Sequence, residues 1–205
     1  MIGMCSISFS KTESFIFLNQ FHSSYLTEFF RIITFFGDGI FVILISFLIV
    51  VFFRPHLKLG NAIILSYLFS GFIAQLFKNI ITAPRPIVCL QQMKSNFYID
   101  TFSNCNVGFS SFPSGHTATA FAIATVFALY FNKKSISLIS LILASMVGYS
   151  RIYLGNHFIG DVLGGTIVGI FTGILAIYIA NRVSLWLLNK KKHSMDDISK
   201  PFISI

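Results

Sequence analysis

Two stretches of this chain carry residues whose types and spacing could hold and cleave a phosphate ester. The first runs from Lys78 across six residues to Arg85-Pro86 and closes at Pro113-Ser114-Gly115-His116. The second is Ser150-Arg151, five residues, His157, three residues and Asp161. Together they supply three fixed cations, two imidazoles and one carboxylate, all at the ends of long apolar runs. Ionisable groups beside hydrocarbon are costly to keep there, so such a cluster marks a functional site by default.

Each part has its own chemistry. Lys78 ends an apolar run, where a helix dipole favours a cation; on its own it fits a capping or snorkelling lysine equally well. Arg85 lies between Pro84 and Pro86, which stiffen the backbone and present a planar fork suited to bidentate phosphate contact. Pro113 starts a helix, with Ser114 as its N-cap, and a helix start offers amides and partial positive charge to an anion. Gly115 leaves that approach open. An ordinary helix start explains the proline and serine but not His116 at the lipid boundary. His157 and Asp161 are four apart, so on a helix they share a face. A carboxylate bonded to one ring nitrogen leaves the other free as a nucleophile.

The elements that must position these residues are membrane helices. Of 205 residues, 55% are hydrophobic and only 11% charged, with a mean hydropathy of +0.78. Soluble domains average about 25% charged residues. Five runs are long and apolar enough to cross a bilayer: Phe35–Phe53, Asn61–Lys78, Thr117–Phe131, Ser135–Tyr153 and Asp161–Leu188. The third needs Ser114 to His116 as its first turn to reach the required length. Spanning segments must satisfy their own backbone groups, which makes them helices. The expected fold is therefore an all-α polytopic bundle of five spans with a 35–188 membrane domain. It is preceded by a 1–34 amphipathic segment and followed by a disordered 189–205 cytoplasmic tail.

Positive charge sets the orientation. Arg54 to Lys58, Lys133-Lys134 and Lys190 to Lys192 all fall on one side of five alternating helices, the cytoplasmic side by the positive-inside rule. The connections 79–116 and 154–160 then lie outside, and every phosphate-handling residue sits in or beside them. Nothing in the motifs was used to orient the helices, so the agreement is an independent test. Within Ser14–Thr34, Phe15, Leu18, Phe21, Tyr25 and Phe29 form one helical stripe, the pattern of a helix lying in the interface. As a sixth span it would move the amino terminus inside. The net charge of +8 comes in short clusters rather than a continuous basic face, which argues against nucleic acid. No cleavable signal peptide is visible. Cys89 and Cys105 both fall in the outer connection, where the topology exposes them to an oxidising compartment and leaves two outcomes, a disulfide between them or two unpaired thiols.

The order Lys-x6-Arg-Pro, Pro-Ser-Gly-His and Ser-Arg-x5-His-x3-Asp resembles the three motifs of the type 2 phosphatidic acid phosphatase family. They match without a departure, and the resemblance covers about Phe35 to Leu188. It implies a phosphatase in which His157 attacks phosphorus, Asp161 orients it, and His116 protonates the leaving oxygen and then activates water. Lys78, Arg85, Arg151, Ser114 and Gly115 would bind the phosphate. The resemblance implies no metal and no cofactor. The partner is a lipid phosphate or diphosphate at the outer face of a bacterial inner membrane, with undecaprenyl diphosphate the simplest substrate. Phosphatidylglycerol phosphate, phosphatidic acid and lipid A remain alternatives. A protein that binds or transports such a lipid without turnover would need the cations but not a nucleophile–acid pair. Related haloperoxidases share the motif but are soluble.

Overall fold

The computed structural model describes residues 11–92 and 108–198. Helices α1 (Lys11–Leu18) and α2 (Ser24–Phe35) precede α3 (Gly39–Phe52), and a single 3-10 turn at Arg54–His56 leads into α4 (Leu57–Ile80). A short α5 (Pro86–Gln92) follows, then α6 (Gly115–Phe131), α7 (Lys134–Tyr153) and α8 (Ile159–Ile198). Among the described residues there is no strand, only one isolated parallel bridge between Ala83 and Ser110.

Helix α6 is the centre, packed against α4, α7 and α8. Its closest neighbour is set by glycine. Added Cβ atoms at Gly165, Gly169 and Gly173 of α8 would lie 2.5 to 2.7 Å from the carbonyl oxygens of Ser114, Ala118 and Ala122. A side chain there would push the helices apart, so this small-residue stripe lets the backbones touch. Val42, Leu59, Ile63, Ile123, Val126 and Ile177 form the main core between α3, α4, α6 and α8. The outer surface is equally apolar, with Phe47, Phe72, Leu141, Ile167 and Phe171 exposed, as in a bundle whose solvent is lipid.

Among the described residues, three helices are long and apolar enough to cross a membrane: α4, α7 and Ile159–Leu187 of α8. The third expected span is the 17-residue α6, which starts at Gly115 and so takes in His116 but not Ser114. The first expected span is divided. Its α3 has 14 residues, and it meets the length requirement only together with α2, from which it is bent by 50°. The 14–34 segment is likewise not one amphipathic helix. Ser23 caps α2 through its side chain, so the stripe is interrupted between Leu18 and Ser24, and Phe15 is buried where Phe21, Tyr25 and Phe29 are exposed. The tail also departs from expectation. Helix α8 continues to Ile198, with the Lys190 ammonium over the Trp186 ring; an i,i+4 contact of this kind supports a helix beyond the apolar run. Cys105 and the expected pairing with Cys89 lie outside the described residues.

Candidate active site

The backbone ties the three motifs to one another. After α4, Ala83 and Arg85 pair with the strand-like approach to α6: Ala83 N–H donates to Phe109 O, Ser111 N–H to Ala83 O, and Arg85 N–H to Gly108 O, at 2.8 to 3.1 Å. Ser114 N–H then donates to Asp161 O at 3.0 Å, joining the start of α6 to the first turn of α8. The Arg151 carbonyl accepts from both Asn156 and His157, and Gly155 turns the chain there with φ 71. Left-handed geometry of this kind suits glycine. All eight expected site residues therefore gather at one end of the bundle.

Lys78, in the last turn of α4, places Nζ beside Gly115, 3.8 Å from where a glycine Cβ would be. Arg85 and Arg151 are both buried and close enough to Lys78 to repel it. Holding three cations together in a space of low polarity favours an anion between them. Arg151 is aimed by Thr34 of α2, whose Oγ1 accepts from Nη1 at 2.8 Å.

His157 is not on the helix with Asp161 as the spacing suggested; it lies in the turn before α8. The pair still forms, with Nδ1 3.6 Å from Asp161 Oδ2. The same oxygen accepts from the Phe158 amide at 2.9 Å and from the Ser111 hydroxyl, which itself lies 3.5 Å from His157 Nδ1. Asp161 is thus held as an acceptor, with Nδ1 turned to it and Nε2 left for chemistry. Burial pushes His157 down to about 4, and Arg151 and Arg85 push the same way against the Asp161 carboxylate. This favours the neutral ring at physiological pH.

Ser114 behaves differently from the reading of a simple N-cap. It occupies the capping position but makes no side-chain cap. Its hydroxyl instead accepts from Thr117 Oγ1 at 2.9 Å, and its amide is taken by Asp161 O. Ser114 thereby ties the start of α6 to the start of α8. His116 sits in that first turn, and its Nε2 is 3.9 Å from Asp38 Oδ2. Ser111, Thr34 and Asp38 were not found from sequence. Ser111 stands two residues before Pro113 in a polar connection and Thr34 ends a segment read as interfacial, so no local pattern singles them out; Asp38, a carboxylate at the start of the first expected span, did carry the signal of an ionisable group beside hydrocarbon.

The family model described as the PAP2 superfamily matches residues 56–184. The chain is 29% identical over 195 residues to the lipid A 1-phosphatase of Rhizobium etli, covering 83% of this chain and 81% of that one. A lipid A 1-phosphatase of Porphyromonas gingivalis is 45% identical over 76 residues, which is 36% of this chain but only 17% of the relative. The crystal structure of Aquifex aeolicus LpxE superposes with a TM-score of 0.63 at 28% identity, covering 80% of this chain and 92% of that one. With helices apolar enough to cross a membrane and three motifs converging at one end of them, the chain belongs to the PAP2 superfamily.

Proposed function

We propose that the protein is a membrane phosphatase that hydrolyses a lipid phosphate or diphosphate through a phosphohistidine. The observation that carries this reading is His157, neutral and buried with Nδ1 against Asp161, beside Lys78, Arg85 and Arg151. In the first step His157 Nε2 attacks the terminal phosphorus, the phosphorus–nitrogen bond forms, and the bond to the leaving oxygen (the lipid oxygen of a monoester, the bridging oxygen of a diphosphate) breaks as that oxygen takes a proton from His116. In the second, His116 takes a proton from water, which attacks phosphorus and releases His157. The three cations and the first amides of α6 stabilise the equatorial oxygens in both steps. The distribution of Lys and Arg supports a site that faces the outside of a bacterial inner membrane.

A lipid substrate suits the surroundings. An apolar cavity of about 380 Å³ opens among α3, α6 and α7, lined by Phe36, Phe41, Phe127, Leu143 and Val147. Phe36 and Val147 lie at the end nearest His116, where a leaving lipid would depart. Undecaprenyl diphosphate is the first substrate to test, because a compact chain of 205 residues suits a housekeeping lipid phosphatase. The broad match to a lipid A 1-phosphatase favours the phosphate of lipid A as the second reading.

The test is phosphate release by the purified protein from undecaprenyl diphosphate, lipid A, phosphatidylglycerol phosphate and phosphatidic acid, with EDTA present. Release that survives EDTA and is blocked by vanadate is the expected result. Loss of release on chelation, restored by Mg²⁺, would sink the mechanism. Release from lipid A alone would decide for the second substrate.

A further inference from the structure

The turn between α2 and α3 divides the first expected span, and it does so beside the site. It is pressed onto the start of α6: a Cβ at Gly37 would lie 2.7 Å from His116 O and 2.8 Å from Val147 Cγ1. Only glycine permits so close an approach. The residue after it, Asp38, is the N-cap of α3, and its Oδ1 accepts from Ile40 N–H at 3.0 Å. That bond fixes the carboxylate and turns Oδ2 toward His116 Nε2, 3.9 Å away. The distance is about 1 Å longer than a hydrogen bond, a gap of the kind that closes when substrate binds. The same break also delivers Thr34 Oγ1 to Arg151.

Four groups act electrostatically on His116: Arg151 of α7, Lys78 of α4, His157 of the α7–α8 turn, and Asp38. Only Asp38 is negative. A carboxylate beside His116 favours the imidazolium that must carry a proton to the leaving oxygen.

We propose that Asp38, at the break in the first span, is the positioning carboxylate of His116, as Asp161 is of His157. The broken helix is then a fourth element of the site, outside the three motifs. Asp38 holds the proton on Nε2 and leaves Nδ1 to give its proton to the bridging oxygen as the phosphorus–oxygen bond breaks. Nδ1 then takes one back from water in the second step. The inference rests on the phosphatase reading above.

Leaving-group dependence tests it, because an acid matters only when the leaving group is poor. Asp38→Asn keeps a capping oxygen for Ile40 and removes the charge. The expected result is a roughly ten- to hundredfold loss of turnover on an alkyl phosphate, with a dinitrophenyl phosphate within about twofold of wild type. Asp38→Ser, a second uncharged cap, must show the same split. In a His116→Ala background Asp38→Asn must add nothing further. An equal loss on both esters, no loss on either, or a further loss without His116 would overturn the role of Asp38. A wild-type protein idle on both esters and on the four lipids above would instead overturn the phosphatase reading itself.

Discussion

A carboxylate buried among apolar side chains stays in place only if its lone pairs are used. Asp161 Oδ2 takes the Ser111 hydroxyl and the Phe158 amide and still faces His157. Hydrogen bonds to a charged group are worth about 1.5–3 kcal/mol, so Ser111→Ala is expected to lower turnover roughly tenfold or more. Phosphate release by the variant checks this, and His157→Ala, which should form no phosphoenzyme at all, sets the floor. Histidine titration follows from the same geometry. His157 falls from 6.5 to about 4 on burial, so NMR of the detergent-solubilised protein should show one imidazole, lost in His157→Gln, that stays neutral well below 6.5. The unfolded chain takes up this proton first. Stability should therefore fall as pH drops from 6.5 toward 4, and the fall should be shallower in His157→Gln.

Helices position these groups through their contacts more than through their ends. Asp161 reaches Ser111 because α8 lies directly on α6 along Gly165, Gly169 and Gly173. Gly169→Ala places a methyl 2.5 Å from Ala118 O and 2.7 Å from Phe121 Cβ. Overpacking of this kind costs about 1–3 kcal/mol. A lower melting temperature together with loss of phosphate release is the expected outcome, since separating the helices also moves Asp161 away from Ser111. A variant of normal stability and activity would show that the close approach does not hold the site. The N-terminal helices have a comparable role on the other face. Phe15 meets the Phe158 ring edge-on at 5.6 Å, Asn19 donates to Ile152 O, and Tyr149 donates to Leu18 O, so α1 covers the turn that carries His157.

For the whole molecule, orientation is the property that sets which pool of lipid is reached. In a background lacking the native cysteines, Gln91→Cys in α5 should react with an impermeant maleimide from outside intact cells. Lys133→Cys, between α6 and α7, should react only after the membrane is opened. The reverse pattern would turn the site toward the cytoplasm and remove the outer-leaflet substrates from consideration.

By itself the amino-acid sequence determined the all-α membrane class, the run positions of α4, α7 and α8, and the eight residues that meet at one end of the bundle. Those features are local: apolar length, proline and glycine punctuation, charge clusters and fixed motif spacing all act over a few turns of chain. Tertiary structure alone decided that Ser114 ties α6 to α8 rather than capping with its side chain, and that His157 stands before its helix. It also decided that the first span breaks at Gly37-Asp38, and that Ser111, Thr34 and Asp38 reach Asp161, Arg151 and His116. Each of these contacts joins segments distant in the chain. They depend on how closely helices pack, which neither periodicity nor spacing encodes.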